Sequence, residues 1–193
     1  ARLARALVTA GSIGTLATVY PFNESSPLSG HPFALMEYYA PCYLNGSLSF
    51  VLMGISKNAH HILASPTHAA SITVQAPLSH SPVTKPRVAL VGSVTVLGND
   101  TAHADIQDIE ECYLDRHPDS KFWLPGKSGF SDASWARFDP SAIYYVGGFG
   151  GQHFIGDIPL DLYQRSGGGV PPRNSALRSP LRIQHAQLAS VEY

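Results

Sequence analysis

A chain of 193 residues, 44% of them hydrophobic and with a formal net charge of −1, is long enough to bury a core of its own and reads as one domain. The hydrophobic share argues against global disorder, and a charged fraction of 14% offers no basic surface to a nucleic acid. No apolar run reaches the roughly 20 residues that a helix needs to cross a bilayer.

Residues 1–10 read as a helix, with Leu3, Leu7 and Ala10 at helical spacing and Gly11 as the stop. The chain begins at Ala1 instead of a methionine, as it would after removal of a leader. Residues 14–20 (GTLATVY) form a strand, 21–30 a polar loop and 32–39 a second strand. Pro41 and Asn45-Gly46 mark a turn, and because Asn-Gly is a strong hairpin signal, residues 47–53 are expected to pair back on 32–39.

The stretch 54–75 (GISKNAHHILASPTHAASITVQ) is the crossover of the chain. Ser56 stands at an N-cap position, where its hydroxyl can accept from the free N–H groups of the first turn. Residues 58–64 suit a helix, which Ser65-Pro66 stops, and the β-branched alternation of 70–74 suits a strand. A proline-rich loop follows over 76–86, then a long strand over 87–97 in which Gly92 marks a bulge or bend. Residues 101–116 are the clearest helix, capped by Thr101, with Ala102, Ile106, Ile109 and Tyr113 as its apolar stripe and Cys112 beside it. After His117-Pro118 come a loop around Phe122 and Trp123, a strand over 135–146 with a kink or edge at Asp139-Pro140, and another strand over 153–158. Residues 164–193, which contain SGGGVPP, read as an extended or partner-contacting extension to a domain of residues 1–163. Many strands and few helices give a mainly β fold, a barrel with helices packed outside it.

Few residues carry chemistry by pattern. The run GGFGG at 147–151 lacks the helix that a dinucleotide loop opens, so it is read as a tight connection. His60 and His61 are adjacent and point about 100° apart on a helix, so they form no joint chelate as an i, i+4 pair does; one is expected to be buried and bonded, the other to face solvent. No G-x-S-x-G elbow occurs. The acids Asp105, Asp108, Glu110, Glu111 and Asp115 are read as the solvated face of their helix. Ser56 and Lys57, at a helix start, are residue types that could hold a phosphate, with Thr18 and Arg87 contributing from nearby strands. The plainer reading is a capping serine and a surface lysine.

Asn23-Glu-Ser, Asn45-Gly-Ser and Asn99-Asp-Thr are acceptor sequons without proline in the middle. Three of them in predicted loops or turns favour a secretory glycoprotein over ordinary polar turns. Cys42 and Cys112 can pair in an oxidising compartment or remain two buried thiols, and pairing is favoured. Two cysteines at this spacing do not make a zinc site.

The order of GTLATVY, HPFALMEYY, SLSFVLMGISKNAHHILASPTHAASITV, PRVALVGSVTVL, YLDRHPDSKFW and IYYVGGFGGQHFIGDIPLDLY resembles the flavin-binding split-barrel family of pyridoxamine-phosphate-oxidase-like proteins. Within it, the chain looks most like the CREG-type secreted glycoproteins, in a fungal form. The resemblance covers residues 1–163. It implies a six-stranded split β-barrel with flanking helices, an FMN-binding-like fold, usually as a homodimer. Flavin-binding members hold FMN at the dimer interface, and their S-R-K type phosphate motif corresponds to Ser56-Lys57-Asn58, which keeps the serine and one basic residue and loses the second. CREG-type proteins share the fold with the cleft obstructed and without bound flavin, and act in secreted or endolysosomal form. The expectation is therefore a secreted or vacuolar-lumen glycoprotein that binds a protein or glycan partner as a homodimer, without a cofactor. The alternative is an FMN-dependent oxidoreductase using Ser56, Lys57, Thr18 and Arg87 for the phosphate; a third reading is a haem or small-ligand binder using His60, His61 or another cleft histidine.

Overall fold

The computed structural model describes residues 1–22, 26–77, 80–98, 101–127 and 132–167. In chain order these form α1 (Arg2–Ala10), β1 (Ile13–Val19), β2 (Pro32–Tyr38), β3 (Leu48–Leu52), α2 (Lys57–Ala64), β4 (Ala69–Gln75), β5 (Arg87–Val96), α3 (His103–Arg116), β6 (Ser134–Val146), β7 (Ile155–Ile158) and α4 (Leu160–Arg165), with short 3-10 turns at Pro82–Thr84 and Pro118–Phe122. The strands make one antiparallel sheet in the order β2-β1-β4-β5-β6-β3, and β7 adds to β6. Because β6 has 13 residues, one edge of it serves two partners, β3 along Ser134 to Phe138 and β7 along Ile143 to Val146.

The path runs from β2 to β3, and these two end strands do not pair with each other. Just past the end of β2, a single isolated bridge reaches β3, in which the N–H of Ala40 donates to Ser49 O at 3.0 Å and the N–H of Ser49 to Ala40 O at 2.8 Å. The barrel is thus split. The six strands that the resemblance implies lie along this path, and the further strand expected over 153–158 returns after the GGFGG turn as β7, beside β6.

Period-two burial sets the inside. Leu16 and Thr18 of β1, Ala70, Ile72 and Val74 of β4, and Val88, Leu90 and Val94 of β5 face inward, joined by Ala4 and Val8 of α1 and Tyr163 of α4. Each large aliphatic side chain buried in this way contributes about 1.5–3 kcal/mol. β3 is buried along its whole length, since it lies between two cores. Leu48, Phe50 and Leu52 point into the barrel, whereas Val51 joins Trp135, Ile109, Tyr113 and Leu124 in a second cluster under α3. The bulge expected at Gly92 is present: Val91 pairs with Ala142 and Gly92 with Pro140, which leaves Ser141 as the extra residue. A Cβ on Gly92 would lie 2.0 Å from the carbonyl oxygen of Asp139, so this crossing of backbones admits only glycine.

Several local expectations change. The hairpin between 32–39 and 47–53 does not form: β2 pairs with β1, and β3 with β6. Asn45-Gly46 instead folds the connection locally, with Gly46 at φ 92°, its N–H donating to Tyr43 O at 3.2 Å and Asn45 Oδ1 accepting from the Ser47 N–H at 3.2 Å. That connection is held from outside: Arg5 Nη2 donates to the carbonyls of Tyr43 at 3.0 Å and Leu44 at 3.2 Å, and Cys42 is disulfide-bonded to Cys112, with Cα atoms 5.9 Å apart. α3 starts after Ala102, not Thr101. The residues DLYQR, without a strong helical stripe, form the end of α4; residues 168–193 of the predicted extension lie outside the described residues.

Candidate functional site

α2 links β3 and β4, which are not neighbours in the sheet, so it is the crossover that the sequence pointed to. Ser56 occupies the N-cap with non-helical φ and ψ, yet its side chain makes no capping bond. One face of the helix, Asn58, Ala59, His61 and Ile62, is buried, while Lys57 and His60 are exposed. This is the division expected of the adjacent histidines. His60 Nε2 reaches back to the Gly54 carbonyl at 2.7 Å.

The buried face meets β1 through polar atoms. The Thr18 hydroxyl, 3% exposed, donates to Asn58 Oδ1 at 3.1 Å and lies 3.0 Å from His61 Nδ1. A hydroxyl has one proton; with that proton on Asn58, His61 must donate from Nδ1. Tyr20 tilts over the imidazole at 4.3 Å between ring centroids, and Phe33 meets it edge-on at 5.4 Å. Glu37 of β2 faces the same helix. Burial pushes its carboxyl above the usual range, an effect partly offset by the Tyr38 N–H and by the nearby Asn58 amide. The Tyr38 N–H is 3.3 Å from Oε1, whereas the Asn58 amide nitrogen is near but not at bonding geometry. Glu37, Asn58, Thr18 and His61 therefore form a polar seam that fixes the crossover to the sheet.

The four residues expected at a flavin phosphate do not converge. Ser56 and Lys57 share the start of α2, where the Lys57 ammonium lies 5.8 Å from the Tyr20 ring centroid. Thr18 is under the helix with its hydroxyl already bonded. Arg87 belongs to the opposite face of the sheet: Thr18 shares the inward face of Leu16, two residues before it, whereas Arg87 is next to inward-facing Val88 and so faces outward. Along β4 the partner of Ala17 is Ser71 and that of Arg87 is Gln75, a further separation of about 13 Å at roughly 3.3 Å per residue. As a set these residues do not fit a flavin phosphate. Arg87 instead donates from Nη1 to Val83 O at 3.3 Å and lines a shallow concavity of about 400 Å³ with Thr73, Ala89, Tyr144, Val146 and Ile155. Among the described residues, no group of three or more potential ligands gathers to hold a metal.

One feature was missed by sequence reasoning. On the outer face, the register aligns Met36, Thr15, Thr73, Ala89 and Tyr144 in one row and Ala34, Ala17, Ser71, Val91 and Ala142 in the next. None of these positions is charged, and Met36, Val91 and Tyr144 are 57%, 49% and 46% exposed. Over five strands about 4.8 Å apart the rows run roughly 19 Å. The signal was in the sequence as small or uncharged residues at alternate strand positions, but only the strand order places them side by side.

Comparison with known proteins agrees with this architecture. Residues 1–165 match the family model for the CREG beta-barrel, and no curated protein matches the chain. A heme-binding protein from Mycobacterium smegmatis superposes with a TM-score of 0.65 at 22% identity, over 86% of this chain and 60% of its own. A FAD-binding protein from Mesorhizobium loti gives 0.55 at 19% identity, over 75% and 92%, and HutZ, the heme storage protein from Vibrio cholerae, gives 0.52 at 14%, over 72% and 89%. The chain thus spans 60% of the length of the M. smegmatis protein, and likenesses at these identities show the fold. With its matched region covering all the described strands, the chain belongs to the CREG beta-barrel family.

Proposed function

We propose that this chain is a secreted, glycosylated split-barrel protein that acts as a homodimer by binding a protein or glycan partner, and not through a flavin. The observation that carries the reading is the pair of uncharged rows across the outer face of β2, β1, β4, β5 and β6, bordered by Arg87 of β5 and Asp157 of β7. An uncharged centre with a charged rim is what marks an interface, and a second copy brings an identical patch to meet it. The dispersal of Ser56, Lys57, Thr18 and Arg87 supports a role without FMN. Asn45 is exposed in its turn, where a glycan has room, and a disulfide between Cys42 and Cys112 suits an extracellular, endolysosomal or vacuolar lumen. Asn23 and Asn99, the other two acceptors, lie outside the described residues.

Light scattering on the purified protein tests the dimer: the reading expects twice the mass of one glycosylated chain at micromolar concentration, and a monomer contradicts it. Intact mass tests glycosylation, since a secreted product at the bare polypeptide mass excludes it. A second reading, a small-ligand binder of the kind its fold neighbours are named for, draws support from the concavity beside Arg87. The visible spectrum of the native protein separates the two: no band is expected, and a flavin or Soret band establishes the second.

A further inference from the structure

The second apolar cluster lies outside the barrel, where β3 and β6 turn Val51 and Trp135 towards α3. α3 covers this surface unevenly. Its last turn and the segment after it are firmly anchored: Tyr113, His117, Ser120 and Leu124 are buried, and His117 Nε2 lies 2.9 Å from the Tyr39 carbonyl oxygen. Over residues 103–112, by contrast, Ile109 is the one residue fully buried, with Ile106 and Cys112 half-buried against the cluster. The N-cap is Ala102, which has no side chain to accept from the first-turn N–H groups. The Lys127–Glu110 pair, at 3.2 Å, is solvent-exposed and of the weak kind.

What ties this part of the helix to the barrel covalently is Cys112. Its partner, Cys42, lies in the connection between β2 and β3, which Arg5 holds by two carbonyls. The bond therefore joins a weakly packed half-helix to a firmly held loop.

We propose that the Cys42–Cys112 disulfide is a redox latch: its reduction frees residues 103–112 from the barrel wall and uncovers the apolar surface of Val51, Met53 and Trp135, while the barrel stays folded. The reductant is a dithiol, either a small molecule or the cysteine pair of an oxidoreductase. One of its thiolates attacks a sulfur of the bond to give a mixed disulfide, and its second thiol resolves that intermediate. The dithiol leaves as a disulfide, and Cys42 and Cys112 gain two electrons and two protons between them.

Both tryptophans, Trp123 and Trp135, belong to this cluster, so their fluorescence reports on it. Hydrogen exchange of the full chain, oxidised and then reduced by a phosphine or by dithiothreitol, is the test. Reduction should raise exchange over residues 103–112 at least tenfold and shift tryptophan emission to the red, with β4 and β5 as protected as before. Unchanged exchange over 103–112 overturns the latch, because packing alone then holds the helix. Loss of protection in β4 and β5 together with 103–112 overturns it too, because the bond is then a staple for the whole domain. A Cys42→Ser, Cys112→Ser double variant should behave as the reduced chain; if it fails to fold, the reduced wild-type protein still decides the question.

Discussion

The Thr18 hydroxyl and His61 Nδ1, 3.0 Å apart, join the first strand of the barrel to the helix that crosses between its halves. Thr18→Val keeps the shape and removes the bond. Asn58 Oδ1 then loses a buried hydrogen-bond donor, which costs about 1–3 kcal/mol. Urea unfolding should show a lower midpoint with an unchanged slope.

The Glu37 carboxyl supplies a pH dependence of definite sign. Its value is raised in the folded protein because burial disfavours the charged form. Between the unfolded value and this raised one, the folded state binds more protons than the unfolded state, so stability falls as pH rises through that window. Below the unfolded value both states are protonated and the penalty vanishes. Glu37→Gln should therefore stabilise the protein more at pH 7 than near pH 4.5, as measured by urea midpoints at the two pH values. An equal shift at both would show that the charge at Glu37 does not matter.

Gly92→Ala places a Cβ 2.0 Å from the Asp139 carbonyl oxygen, and backbone cannot move aside as a side chain can. A loss of about 3 kcal/mol or more is expected from this overpacking. Gly126 is the control. It has φ +82° with nothing within 4 Å of a Cβ, so alanine there meets backbone strain alone, about 1–2 kcal/mol. Thermal melts of the two variants should rank them in that order.

Much of the fold was legible because it is local. Gly11 and Ser65-Pro66 end α1 and α2 where expected, and Gly92 opposite Asp139-Pro140 marked the bulge from both strands. Strand pairing was harder. Asn45-Gly46 announces a turn correctly, but a turn signal does not say which strands it joins, and the contacts that redirect this one come from Arg5 and Cys112, far away in sequence. The site divided in the same way. The opposite orientations of His60 and His61 follow from helix geometry, whereas the distance between Thr18 and Arg87 depends on β4 and on which face each residue takes. The two uncharged rows of the outer face are the clearest case, since their residues come from five strands.

The central claim is that this outer face joins two copies of the chain. Val91, 49% exposed and aligned with Ser71 and Ala142, sits within it, and a glutamate there brings like charges together across a two-fold interface. Sedimentation velocity on wild type and Val91→Glu, alongside circular dichroism to confirm that both are folded, is the direct measurement. The account predicts a dimeric wild type and a folded, monomeric variant. A variant that sediments as the wild type does contradicts it.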